Sequence, residues 1–114
     1  MTQIAYKIIA AGEWRQAVAE GRYEGSAVDR ADGYIHLSTQ AQLAETARRH
    51  YAGRDGLMLL SVHLDRLADA PAWEPSREGD LFPHLYSPLP VAAVGEARPM
   101  TVDADGTMRV GDPA

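Results

Sequence analysis

The apolar run at residues 57–64 constrains the fold more than any other part of the chain. Its sequence, LMLLSVHL, is interrupted only by Ser61 and His63. A strand with one face in water alternates apolar and polar residues, whereas a nearly continuous apolar run is typical of a strand buried on both faces. The run therefore predicts a central strand. Its expected core residues are Leu57, Leu59, Leu60 and Val62.

The rest of the chain predicts short strands and two main helices. The pattern of residues 6–9 predicts a first strand. Trp14, Ala17 and Val18 recur at helical spacing, which predicts a helix at 13–20 that ends at Gly21. Thr39 and Gln42 match a capping box, which predicts that a second helix starts there. We expect a polar loop at 25–33, a central strand at 57–64, and a C-terminal hairpin from 95–101 and 106–110.

Length and charge limit the class of protein. A chain of 114 residues fits one domain with one core, here residues 1–114, so these elements predict a small α+β fold. The net charge of −5 argues against a general nucleic-acid binder, which needs a basic surface to meet phosphates. Without cysteine the chain has no disulfide, thiolate nucleophile or thiolate metal ligand.

The sequence favours a cytoplasmic protein with no membrane partner. Its first residues lack the basic segment and long apolar run of a signal peptide. The apolar run at 57–64 is far too short to span a bilayer as a helix.

Two short histidine-containing segments are the candidate functional residues. In the first, YIHLST at 34–39, an extended chain places Tyr34, His36 and Ser38 on one face and the aliphatic residues on the other. We expect the histidine face to open into a cleft. Thr39 would cap the following helix, whose N-terminus offers N–H groups to an anion.

The second segment, LFPHLY at 81–86, places His84 and Tyr86 on one side of an extended chain. Prolines at 83, 88 and 90 predict that any strand here, at 85–86, is short. Just before it, Arg77 is a candidate anion ligand, and Glu74 is a candidate general base or the partner of Arg77. Each of these candidates also has a structural alternative. Glu74 and Arg77 could form a surface salt bridge, and the two histidines could only satisfy polar groups of the core.

A metal site is not expected. His36, His84 and Glu74 could converge on an ion, but no H-x-x-x-H or H-E-x-x-H spacing is present to preform one.

The order of these motifs resembles a known family. Tyr6-Lys7-Ile8, Trp14, the segment 32–39, Trp73-Glu74, Arg77 and the segment 81–86 resemble the bacterial family of domains of unknown function 952. The resemblance covers about residues 4–100 and leaves 101–114 as a C-terminal tail. That family is grouped with the ADP-ribosyltransferase-like fold, near the RNA 2′-phosphotransferases.

The resemblance implies a curved, split sheet, mixed or antiparallel, around an NAD-shaped cleft. It places His36 against the ribose or nicotinamide and makes His84 the second histidine of the site. Two features depart from the expected pattern. Ser87 stands where the family usually has glycine, and Glu96 is the only late glutamate available for the catalytic position of ADP-ribosyltransferases.

Three functions remain open from the sequence. The first is an enzyme of the glycosyl-, ADP-ribosyl- or phospho-transferase type, with NAD or another nucleotide as substrate and His36 and His84 as catalytic residues. The second is a non-catalytic module that binds a nucleotide or small anion. The third is a structural or partner-binding domain. The predicted ligand-binding residues are Tyr34, Ser38, Thr39, Glu74, Arg77 and Tyr86.

Overall fold

Residues 57–63 of the apolar run form a strand inside the main sheet, as predicted, and Leu64 begins the turn after it. The computed structural model describes residues 3–76 and 79–113. The elements in chain order are β1 (Ile4–Ala10), α1 (Ala11–Glu20), β2 (Arg22–Tyr23), α2 (Ala27–Asp32), β3 (Ile35–His36), α3 (Gln40–Tyr51), β4 (Leu57–His63), β5 (Ala72–Pro75), β6 (Leu81–Leu85), β7 (Leu89–Pro90), β8 (Val94–Val102) and β9 (Met108–Val110). Single 3-10 turns lie at Leu64–Arg66 and Val91–Ala93.

The described strands form three sheets. The main sheet has the order β1-β4-β8-β9, the small sheet has the order β3-β6-β5, and β2 pairs with β7. Every pairing between the described strands is antiparallel, so the fold is a small α+β domain and its sheets are not mixed. The described residues contain three α-helices, one more than the two main helices expected.

The β4 strand is covered on both faces, which explains its apolar sequence. Leu57 and Leu59 belong to one buried cluster, together with residues of α3. Met58, Leu60 and Val62 belong to another, on the opposite face. All five side chains are buried, so the prediction of a core strand is confirmed.

The two predicted helices are present. Helix α1 ends at Gly21, which has a φ of 84° and therefore adopts the left-handed conformation that glycine accepts without strain. Ala17 is its buried residue, whereas Val18 is 52% exposed, so the apolar stripe is narrower than predicted. Helix α3 starts with the predicted capping box, in which Thr39 and Gln42 each bind the other's backbone N–H.

Helix α2 corrects the loop predicted at 25–33. Ser26 and Asp29 form a second capping box, and Gly33 ends the helix with a φ of 90°. The Ser-x-x-Asp spacing could have indicated a helix start, but the flanking glycines and polar residues favoured a loop.

The β6 strand is longer than its prolines suggested. It spans Leu81–Leu85, with Pro83 buried in the middle. The carbonyl of Pro83 accepts a hydrogen bond from the Leu37 N–H (3.1 Å), but Pro83 has no N–H to return. The ladder between β3 and β6 therefore ends at the pair His36–His84, and β3 spans two residues instead of the five expected at 34–38.

The C-terminal hairpin is confirmed. β8 and β9 pair through Met100–Val110, Thr101–Arg109 and Val102–Met108. The main sheet therefore extends well into the segment 101–114. No helix in the described part of the chain has the length and apolar character needed to cross a membrane.

Candidate functional site

A short backbone bridge sets the small sheet against the main sheet. The Tyr6 N–H donates to the Ser38 carbonyl (2.7 Å), and the Ser38 N–H donates to the Tyr6 carbonyl (2.9 Å). Beside this bridge lies a cleft of about 750 Å³, lined by residues of β1, α2, α3 and the histidine face of the small sheet. This volume is in the range of small-molecule sites.

The structure brings the two histidine segments together. His36 and His84 are directly opposite each other in the β3–β6 ladder, and their ring centroids are 5.6 Å apart. Both side chains line the cleft. The Tyr34 ring packs against both imidazoles, with centroid distances of 4.6 Å to His36 and 4.1 Å to His84, and it contacts Tyr86 at 5.2 Å. Alternating residues on adjacent strands thus build one cluster of four rings.

Both ring nitrogens of His36 face carboxylates. Nδ1 lies 2.6 Å from Asp29 Oδ1, and Nε2 lies 2.9 Å from Asp32 Oδ2. An ionised carboxylate only accepts hydrogen bonds, so both contacts are made when the imidazole carries both protons. His36 is thereby held by α2 and has no nitrogen left for a ligand.

Asp29 connects α2 to two strands. Its carboxylate accepts hydrogen bonds from the Ser26 N–H (3.0 Å) and the His36 N–H (3.2 Å), and it lies 2.9 Å from Lys7 Nζ. The residue is only 2% exposed. Burial would raise the pKa of Asp29, but hydrogen bonds from His36 and the charge of Lys7 together lower it below its ordinary value. Asp29 is therefore an ionised, buried anchor.

Lys7 is the cationic partner of this anchor. It points from β1 to Asp29 and is buried, and it also lines the cleft. Desolvation lowers the pKa of Lys7 by more than the attraction of Asp29 raises it. Sequence reasoning did not identify this pair. The available signals were a lysine inside an apolar strand and the capping-box aspartate 22 residues later.

His84 is held differently from His36. Its Nδ1 is 2.8 Å from Glu74 Oε1, and the Tyr86 hydroxyl donates to the same oxygen at 2.7 Å. These bonds, with Tyr86 the larger contributor, lower the pKa of Glu74. Over residues 3–76 and 79–113, no protein group is hydrogen-bonded to His84 Nε2. This ring is buried at the cleft wall with one nitrogen available.

The other predicted site residues occupy varied positions. Ser38 lines the cleft, and its hydroxyl is 3.1 Å from that of Thr46. Thr39 lies outside the lining, and its N–H is bonded to Gln42, which leaves one N–H fewer for an anion at this helix start. Tyr34 and Glu74 contact the histidines, and Tyr86 contacts Tyr34 and Glu74, but none of the three lines the cleft. Arg77 lies outside the described residues, so its predicted contacts with Glu74 and with an anion stay predictions.

Two further expectations concern the late glutamate and metal binding. Glu96 lies on β8, where it pairs with Arg98 (3.1 Å) and does not line the cleft. Within the described ranges, no group of three or more histidine, aspartate or glutamate side chains is arranged to hold a metal ion.

Comparisons with known proteins identify relatives of the same size. The chain is 47% identical to protein CC0527 from Caulobacter crescentus in its X-ray structure, with a TM-score of 0.86 and 93% of each chain covered. The solution NMR structure of CC0527 matches with 47% identity and a TM-score of 0.78, covering 96% of this chain and 91% of that one. The comparison with curated proteins gave no match. The family profile described as "Protein of unknown function (DUF952)" matches residues 8–97, and the chain belongs to this family.

Proposed function

We propose that this protein binds a nucleotide-like anion such as NAD in the cleft and transfers a group from it, on an ADP-ribosyltransferase-like scaffold. The observation that carries the proposal is the His36–His84 pair on the cleft wall, with each imidazole oriented by its own carboxylate. Glu74 holds His84 at Nδ1, which leaves its Nε2 for proton transfer, whereas Nε2 of His36 faces Asp32. Among the described residues one isolated backbone bridge joins the main sheet to the small sheet, and this division supports the proposed split-sheet scaffold.

The two histidines take different roles in this proposal. His84 Nε2 accepts the proton of the attacking hydroxyl as that oxygen bonds to the transferred carbon or phosphorus and the bond to the leaving group breaks. Both ring nitrogens of His36 face carboxylates, of Asp29 and Asp32, so His36 shapes the cleft wall and does not exchange protons with the ligand. Glu74 and Tyr86 position His84.

Local charge supports an anionic ligand. The net charge of the chain is −5, so attraction must come from groups close to the ligand and not from the whole surface. Basic residues contribute to the lining from two elements and the loop after α3. They are Lys7, Arg49, His50 and Arg54. The lining also holds Glu13, Asp29 and Asp32, and Asp29 is paired with Lys7, so the basic side of the cleft is the one formed by α3 and the loop after it. Arg77 remains a proposed further anion ligand, and a cytoplasmic location remains a prediction from the sequence.

A non-catalytic binding module is the second candidate. The observation that favours it is that both ring nitrogens of His36 face protein carboxylates, which fixes the orientation of the ring. A site with one available imidazole nitrogen can orient a ligand without completing an acid–base cycle.

Binding and turnover distinguish these functions. We expect NAD or ADP-ribose to stabilise the protein, with a thermal shift that grows as RT ln(1 + [L]/Kd). Release of nicotinamide from NAD, followed by chromatography, reports transfer. His84→Gln should abolish release and change binding little, while the matched variant His63→Gln, on β4 and away from the cleft lining, should retain both.

Three results decide between the readings. Binding with no release by the wild type would favour the module. No binding of any nucleotide at millimolar concentration would reject the proposal. Equal release by the wild type and His84→Gln would remove His84 from the mechanism.

A further inference from the structure

The hydroxyl of Tyr23 is a buried polar group that the proposed chemistry does not use. Tyr23 lies on β2 and is 4% exposed. It belongs to the same buried cluster as Met58, Leu60 and Val62, and it also lines the cleft. Its oxygen is buried and has no hydrogen-bond partner among the described residues. Buried tyrosine hydroxyls usually have a partner, because an unsatisfied donor loses its bond to water with no compensation.

The neighbours of Tyr23 do not supply that bond. Ser26 is close to Tyr23, but the two hydroxyls do not meet hydrogen-bond geometry. Burial raises the pKa of Tyr23, and the charges of Glu13 and Asp29 raise it further. The hydroxyl therefore stays protonated and can donate a hydrogen bond.

Charge around the cleft is uneven. The side formed by α1 and α2 carries Glu13, Asp29 and Asp32, whereas the last turn of α3 and the loop after it carry Arg49, His50 and Arg54. The Arg54 guanidinium also lies over the Tyr51 ring, 5.2 Å from its centroid. A phosphate beside Tyr23 would face three carboxylates, of which Asp29 is paired with Lys7 and Asp32 contacts His36, while an uncharged acceptor would not be repelled there.

We propose that Tyr23 is a ligand-binding residue whose hydroxyl donates a hydrogen bond to an uncharged acceptor, an amide carbonyl or a sugar hydroxyl. The anionic part of the same ligand then lies toward Arg49, His50 and Arg54. This inference rests on the proposed binding of a nucleotide in the cleft and assigns its polar, uncharged part to the α1–α2 side. Neither the two histidine motifs nor the capping boxes point to this residue.

Tyr23→Phe removes the hydroxyl and keeps the ring. Because the folded protein gives that hydroxyl no partner, the melting temperature of the unliganded variant should equal or exceed that of the wild type. Tyr51→Phe is the matched comparison for stability, since the Tyr51 hydroxyl donates to the Ile8 carbonyl (3.1 Å) and its loss should lower the melting temperature. A fall in Tyr23→Phe as large as that in Tyr51→Phe would show that the Tyr23 hydroxyl is bonded within the protein and would overturn the inference.

Isothermal calorimetry with NAD, ADP-ribose and inorganic phosphate tests the ligand contact. Tyr23→Phe should weaken the binding of NAD or ADP-ribose about three- to tenfold, which is the effect of losing one hydrogen bond. The affinity for inorganic phosphate should change by less than about twofold. Unchanged affinity for NAD and ADP-ribose would overturn this inference and leave the proposed function intact. A wild type that binds none of the three probes would overturn both.

Discussion

Replacing Asp29 with asparagine should be the most damaging polar substitution in the site. Asp29 is 2% exposed, and its carboxylate is the partner of the buried Lys7 ammonium as well as of His36 and the Ser26 N–H. Asparagine keeps the size and one acceptor oxygen but removes the negative charge. The variant therefore leaves Lys7 buried without its counter-charge.

The expected loss follows from that unpaired charge. Removing one partner of a buried ion pair costs about 3–5 kcal/mol of unfolding free energy, because the remaining charge stays desolvated. For a domain of this size, each kcal/mol lowers the melting temperature by about 4 °C, so a decrease of roughly 12–20 °C is expected.

Urea denaturation followed by circular dichroism measures this loss, and Asp32→Asn is the matched control. Asp32 contacts the same imidazole but its side chain is 48% exposed, so its ion pair should contribute less than about 1 kcal/mol. A loss below about 1 kcal/mol for Asp29→Asn, or equal losses for the two variants, would refute the idea that Asp29 is a charged anchor.

The pH dependence gives an independent check with a definite sign. The pKa of Asp29 is lowered in the folded state, so its ionisation contributes stability that is complete above the unfolded value of about 3.9 and is lost as the pH falls through the folded value. The difference in stability between wild type and Asp29→Asn should therefore shrink in acid. Burial lowers the pKa of Lys7 in the folded protein below its unfolded value of about 10.4. Between these two pKa values the unfolded chain binds more protons than the folded protein. The contribution of Lys7 to stability should therefore increase as the pH rises through this range.

Two further predictions address the core and the second carboxylate. Leu60 is fully buried on the central strand, so Leu60→Ala should lower the unfolding free energy measured in urea by about 2–5 kcal/mol. The control Leu81→Ala changes an exposed side chain and should lower it by less than about 1 kcal/mol. Similar losses in the two variants would mean that β4 is not the core strand. The hydrogen bond to Glu74 raises the pKa of Tyr86 to about 12, so Glu74→Gln should move the Tyr86 titration in an NMR experiment down toward the usual value of about 10. A titration that does not change would show that the Tyr86 hydroxyl is not bonded to Glu74.

The parts of the fold that the sequence predicted are those set by local patterns. The apolar run of β4 has no other way to be buried than between two layers, and the Thr39–Gln42 capping box fixes a helix start through neighbouring residues. Helix α2 has the same local signal in Ser26 and Asp29, but it is six residues long and has no apolar stripe to support it.

The missing parts depend on contacts between distant residues. The alternation of residues 34–38 and 84–86 correctly placed His36 and His84 on cleft-facing sides, because side-chain direction in a strand is a local property. The partners of these histidines are set by packing of α2 and β5, so Asp29 could not be assigned to His36 from spacing alone. Glu74 was singled out from the sequence, yet its bonds to His84 and Tyr86 required the register of β5 and β6.

The bridge between Tyr6 and Ser38 also affects how the protein behaves at high concentration. β1 is an edge strand of the main sheet, and unpaired edges are templates on which a second chain can add a strand and begin to aggregate. Tyr6 uses its outward N–H and carbonyl in the bridge, and the Ile8 carbonyl on the same edge accepts the Tyr51 hydroxyl. The opposite edge, β9, has only three residues. The contact that shapes the cleft thereby also protects the long edge of the sheet from pairing with another copy.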